Sequence, residues 1–398
     1  MKKTIDQLKL FEKNSFKFLR KILSKTDDID KRLSKYKLNL FFYIPLIIFV
    51  SSSYFRTFQS FFNIFEIVAT LLLAIGIFFN LNKMSDKEIK ITMITGFTAC
   101  LIFLIARDIT IIKFFLFIFA AYNIKFQQCV KIDFNIRFVC LIAVLLLNFI
   151  GIIPSVDITR GEIMRYSFGF SHPNNFAYKI LIMLFEYFYL NDFKPILKNG
   201  IITAIIVLFL DHYTNSRTAE ILIIFVYVLG SLLNSNDNIK EKSNNKYIQN
   251  IITNSYFYFS LIIIISFILY KFNNPIGLRI DKLLSYRLYY IDSYFTKYGI
   301  TLFGNNFSGF VSTKNPLDVG YAHILIRYGL IAFLSIGYAF KKVFYKIINK
   351  NNISYLIILF SFIVYSLTEN SFLRIEQNIF MLIFITLFKH KDGEFFEK

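Results

Sequence analysis

The stretch Arg165-Tyr-Ser-Phe-Gly-Phe-Ser-His-Pro-Asn174 passes directly into an apolar run that opens near Phe176. Proline suits the first turn of a helix, where its missing N–H would have had no partner and its fixed φ is already helical. His172 is therefore predicted at or beside the N-cap of an apolar helix, with Arg165 close by in sequence. Free amides, the positive end of the helix dipole and a guanidinium all favour an anion at such a place. A cluster of this kind at the mouth of a membrane helix reads as a site for a phosphate-bearing substrate.

Working outward, similar runs recur along nearly all of the 398 residues, 56% of which are hydrophobic. Mean hydropathy is +0.53. The runs lie near 39–54, 58–80, 89–106, 111–126, 138–153, 174–191, 199–211, 218–233, 251–271, 322–340, 353–369 and 376–388. Crossing a bilayer takes about 17–25 residues, so an all-α polytopic membrane protein with about twelve transmembrane helices is expected. A polar basic arm (1–38) precedes the first run, a large extracytoplasmic loop spans roughly 272–321, and a short tail (389–398) follows the last. The arm has no apolar core of a signal peptide and reads as either a basic amphipathic helix on the inner leaflet or a basic tail.

A net charge of +19 would suit a nucleic-acid binder. Its placement argues otherwise, because the basic residues gather in the arm and in alternate loops, around Lys83, Lys125 to Arg137, Lys194, Lys240, Lys341 and Lys389. That is the pattern of cytoplasmic loops, and it places both termini in the cytoplasm. The three cysteines fall in or beside apolar runs or in an inner loop, and suggest neither a disulfide framework nor a metal site.

The remaining loops are then external, and they carry arginine: Arg56, Arg107, Arg160, Arg165, Arg217, Arg279, Arg287 and Arg374. Arginine there runs against the topology preference, but its planar fork binds phosphate or carboxylate in two-point fashion. Three external segments stand out: Gly151–Asn174, the turn Asp211–Arg217, and the long loop up to Tyr321 with its Tyr286, Tyr289, Tyr290 and Tyr294. Tyrosine among Arg and Asp suits sugars, and equally an interfacial aromatic belt. Glu66, Lys179 and Glu186 lie within apolar runs, where pairing across helices is the favoured reading over lining a lipid groove. Glu369-Asn370, at the outer end of its run, is expected to face an external cavity.

The run from Arg165 to His172-Pro-Asn174 resembles the signature of Wzy-type O-antigen and capsular repeat-unit polymerases, whose superfamily also holds the O-antigen ligases. Thr214-Asn-Ser-Arg217, Arg287 followed by Leu302-Phe-Gly304, and Leu317-Asp318…Tyr321…Tyr328-Gly329-Leu330-Ile331 resemble further family segments in the expected order. Two positions depart: the loop has no Trp, and Val319 follows Asp318 where Asn is frequent.

The resemblance implies a metal-independent glycosyltransferase at the outer face of the bacterial plasma membrane. It would move a growing glycan from undecaprenyl pyrophosphate to the next lipid-linked repeat unit, making capsular polysaccharide, exopolysaccharide or O-antigen. A flippase and a chain-length regulator would be partners, and nucleic acid would not. His172, Asp318 and His323 are the candidate bases. Arg160, Arg165, Asn174, Arg217, Arg279, Arg287 and Tyr321 are the candidate substrate and pyrophosphate ligands, whereas Arg56 and Arg107, outside the matching segments, are expected to be surface charges. No cofactor is implied. A polysaccharide ligase and a lipid-linked glycan flippase remain alternatives, although a flippase often shows internal repeats and none is evident here.

Overall fold

The computed structural model describes residues 35–194, 197–235, 246–308, 310 and 316–389. The arm up to residue 34 and the tail from residue 390 lie outside the described residues. Each of the apolar runs forms helix: α1 Lys35–Tyr54, α2 Gln59–Leu81, α3 Asp86–Ala106, α4 Thr110–Ala120, α5 Phe126–Phe149, α6 Pro173–Leu190, α7 Leu197–Thr214 and α8 Arg217–Ser235. These are followed by α9 Lys246–Thr253, α10 Ser255–Lys271, α11 Pro275–Leu283, α12 Arg287–Tyr298, α13 Gly320–Asn349, α14 Ile353–Tyr365 and a 3-10 run at Ile379–Leu387.

Among the described residues three helices are long and apolar enough to cross a membrane, Arg56–Leu81, Asp86–Ala106 and Gly320–Asn349. The pair α9 and α10, bent by 60°, would make a fourth. The first of these carries Phe61, Ile64, Val68, Leu71 and Ile75 exposed at helical spacing. A continuous apolar stripe facing outward is what lipid, and not water, accommodates.

Three sequence expectations change. The fold is predominantly helical but not all-α, because β1 (Ile158–Arg160) and β2 (Ile163–Arg165) pair as an antiparallel hairpin with Ile158 opposite Arg165. Its two-residue loop begins with Gly161 at φ +65°, the backbone a tight hairpin needs there. The segment expected as a loop near 272–321 contains α11 and α12, each opening where the chain is capped or turned, at Asn274-Pro275 and at the left-handed Tyr286. Third, α5 starts at Phe126, so Arg137 lies within a helix and is not an inner-loop charge.

Arg137 is fully buried and held from three sides. It pairs with Asp133 one turn earlier at 2.9 Å and with Glu186 of α6 at 3.0 Å, and it donates to the Glu376 carbonyl at 3.0 Å. Arginine inside a bilayer is tolerated when its fork is matched this way. Glu66 likewise pairs with Lys113 at 2.7 Å, and Lys179 donates to the Ser53 hydroxyl at 2.6 Å.

The C-terminal ends of α1, α3 and α14 and the N-terminal ends of α6 and α13 meet at one cavity.

Candidate active site

At that meeting point lies a cavity of about 1050 Å³. Its wall draws on residues far apart in the chain: Arg56 after α1, Arg107 and Asp108 after α3, Asn174 at the start of α6, Asp318, His323 and Arg327 around the start of α13, and Glu369 and Arg374 after α14. Arg107 ends α3 in the left-handed region (φ 52°), which turns the chain sharply at the cavity rim. Arg327 pairs with Asp108 at 2.7 Å and lies over the Phe307 ring. Arg56, Arg107 and Arg374 make no ion pair and no side-chain hydrogen bond among the described residues. Three free guanidinium groups on one cavity wall leave their fork donors open to an anionic ligand.

The start of α13 is shaped to present this wall. The helix passes through a π-helical stretch at Ile324–Tyr328 and resets at Gly329, with φ +86°. The 301–305 segment seals the break with main-chain bonds: the amides of Leu330 and Ile331 donate to the carbonyls of Thr301 and Leu302, and the amide of Asn305 to Arg327. Gly304, at φ +95°, packs so closely that a Cβ would stand 2.1 Å from the Arg327 carbonyl oxygen. Two segments noticed separately in the sequence, Leu302-Phe-Gly304 and Tyr328-Gly329-Leu330-Ile331, are thus a single structural joint. π-bulges of this kind recur at functional sites.

Two of the expected anion ligands act on other residues. Arg165 is buried; its guanidinium donates to the Thr214 carbonyl, to Ser216 Oγ and to Asn174 Oδ1, binding the Thr214–Ser216 turn to the head of α6. Arg287 donates to the carbonyls of Thr368 (2.7 Å) and Leu284 (2.9 Å) and pairs with Glu369 at 3.0 Å. Both therefore fix a wall residue, Asn174 in one case and Glu369 in the other. Arg160 reaches Ser285 at 3.3 Å, Arg217 and Arg279 are exposed, and none of the three borders the cavity. Tyr321 is buried with its hydroxyl on the Ile363 carbonyl, away from this wall.

Of the candidate bases, Asp318 and His323 are on the wall and His172 is not. His172 is the N-cap of α6, its Nδ1 accepting from the Asn174 amide at 3.1 Å. That bond consumes the Nδ1 lone pair and occupies the amide expected to meet an anion, leaving the proton of the neutral ring on Nε2. Burial, aided by Arg165, pushes the imidazole below its ordinary value.

The carboxyl groups show the opposite displacement. Burial raises Asp318, with Arg287 opposing. Burial also raises Glu369, to about 7, with Arg287 opposing and Asp318 adding. Asp108 differs: Arg327 and the Thr110 amide outweigh the effect of burial and hold it well below the usual carboxylate range. The wall thus offers one aspartate held ionised against Arg327 and two carboxyls raised by burial, of which Glu369, at about 7, exchanges its proton near neutrality. Among the described residues no group of three or more His, Cys, Asp and Glu side chains is arranged to hold a metal ion.

No family model matches the chain, and no curated protein or solved structure matches it either. What the site does must be argued from its own chemistry.

Proposed function

We propose that the chain crosses the bacterial plasma membrane about twelve times, with both termini cytoplasmic, and polymerises lipid-pyrophosphate-linked oligosaccharide repeat units at the outer face. The observation that carries this reading is the pairing of three unengaged arginines with two buried carboxyls, Glu369 at about 7 among them, in one cavity of about 1050 Å³. A transfer from a glycosyl pyrophosphate needs both. As the acceptor hydroxyl oxygen bonds to the anomeric carbon, the bond from that carbon to the pyrophosphate oxygen breaks and its electron pair leaves with the phosphate. Arg56, Arg107 and Arg374 meet the charge that grows there, which preorganised donors stabilise strongly in a dry site. The hydroxyl proton passes to Glu369, whose pKa near 7 suits a base that must be empty at the start and basic enough to accept. Burial keeps that value high and Asp318 adds to it, and Asn174 on the same wall supplies polar contacts for sugar hydroxyls.

The test is reconstitution. Purified protein in lipid vesicles, given undecaprenyl-pyrophosphate-linked oligosaccharide alone, is expected to yield a ladder of polymers with one lipid pyrophosphate released per bond formed. Consumption only when a different acceptor is added would point to a ligase and overturn the polymerase reading. Movement of the lipid across the vesicle without new glycosidic bonds would overturn the transferase reading altogether.

A further inference from the structure

Beside the large cavity is a second, smaller chamber of about 250 Å³. Arg56, Asn175, Tyr178 and Gln377 border both, so these side chains form the partition between the two spaces. The chamber's own walls come from the end of α1 (Ser53, Tyr54), from the loop before α6 (Pro154, Val156 and Gly169–Ser171) and from Lys179 in the second turn of α6.

Its charge is one-sided. Lys179 and Arg56 line it and no aspartate or glutamate does. Lys179 is only 4% exposed, yet its ammonium meets just the Ser53 hydroxyl at 2.6 Å and the face of the Tyr54 ring at 4.3 Å. Of the nearby carboxylates, Asp133 and Glu186 are taken by Arg137, and Glu376 acts on Lys179 and Arg56 without forming an ion pair to either among the described residues. A buried cation with no carboxylate in contact is unfavourable, and an anion placed beside it relieves that penalty. The other polar groups (Thr57, Ser171, Asn175 and Gln377) are hydroxyls and amides, the donors and acceptors that ring hydroxyls use. The space suits a single sugar-sized group, not a chain.

We infer that this chamber is an anion subsite that receives one carboxylate- or phosphate-bearing group of the substrate, held by Lys179 and Arg56, next to the cavity where transfer occurs. The inference rests on the transferase reading for its substrate. Two sources carry the required oxyanion: an acidic sugar within the repeat unit, or the phosphate of the lipid carrier. If the first holds, the subsite makes the protein selective for glycans that place an acid at a fixed distance from the new bond.

The experiment reads occupancy without turnover, so it stands or falls apart from polymerase activity. Ser171 is exposed at the chamber wall. A Ser171→Cys protein, with exposed Cys100 changed to serine, is labelled with a maleimide in detergent while glucuronate, pyrophosphate or neutral methyl glucoside is titrated in. Glucuronate or pyrophosphate should slow labelling, and Lys179→Gln should weaken that protection by about tenfold or more, the loss expected for one charge-assisted contact. Lys179→Arg should keep most of it. Protection by glucuronate alone assigns the sugar acid, and protection by pyrophosphate alone assigns the carrier. Equal protection by methyl glucoside, or protection unchanged in Lys179→Gln, would overturn the anion subsite. Should Lys179→Gln fail to fold, Arg56→Gln serves in its place and must show the same loss.

Discussion

Replacing Glu369 by glutamine removes the group whose protonation the cavity controls most closely. Its carboxyl rises from an ordinary 4.5 to about 7. At about 1.4 kcal/mol per pH unit, the 2.5 difference corresponds to on the order of 3 kcal/mol. The folded protein therefore holds a proton that the unfolded chain has already lost between these two values. Stability must fall as pH rises through that interval and level off above it. Asp318 contributes a slope of the same sign, so the comparison is between wild type and Glu369→Gln, not with a flat line. Apparent unfolding temperature, followed by circular dichroism in detergent from pH 4.5 to 8.5, should converge for the two proteins at the acid end. Wild type should become relatively weaker toward neutrality. Activity should move the other way, since a base must be deprotonated to work: polymer formation should climb as pH passes about 7. Glu369→Gln should lose about 10²-fold or more. A glutamine variant that polymerises within a factor of two or so of wild type, or a pH profile with no acid limb, would remove Glu369 from the chemistry even if the stability slope appeared.

Other outcomes follow from the wall and its supports. Arg107→Lys and Arg374→Lys keep the charge but lose the fork, and should cut polymer formation about tenfold or more, whereas exposed Arg279→Lys should leave it unchanged; equal activity in all three refutes an arginine clamp. His172→Asn should remain active, because asparagine caps a helix well, and a loss like that of Glu369→Gln would restore the histidine as the base. Gly304→Ala puts a methyl against the Arg327 carbonyl at positive φ, so polymer formation and apparent unfolding temperature should both fall; an unaltered protein would show that the joint yields. Cysteines at Asn215 and Asn306 should react with an impermeant reagent on intact cells and one at Asn82 should not, the reverse pattern inverting the topology.

Helix positions were legible because apolar length and a proline at the first turn are local signals. Pro173 after His172 marked the start of α6 to the residue. The extent of α5 was not legible, since Arg137 read as a loop charge until Glu186 and the Glu376 carbonyl, distant in sequence, supply its partners. The site divides in the same way. External arginine as a class pointed to the cavity, and Glu369 was expected to face it. Choosing among the arginines by motif favoured Arg165 and Arg287, whose forks turn out to be filled by carbonyls and side chains of the protein itself. Arg56, Arg107 and Arg374 come from separate short turns, and nothing local says that those turns converge. Arg327 was hidden inside an apolar run, where only the π-helical stretch brings it to the wall.

The bond from Arg137 to the Glu376 carbonyl spans 239 positions of chain. During synthesis, α5 and α6 are made long before residue 376, so one arm of that guanidinium waits without its final acceptor. Tyr178, whose hydroxyl donates to the Gln377 carbonyl, waits with it. The stretch that satisfies both also delivers Glu369 and Arg374, so the newborn protein acquires its reactive wall and loses its exposed polar defect in the same late event. A surveillance protease that recognises unsatisfied buried polar groups would thereby be sensing, indirectly, whether the cavity wall is complete.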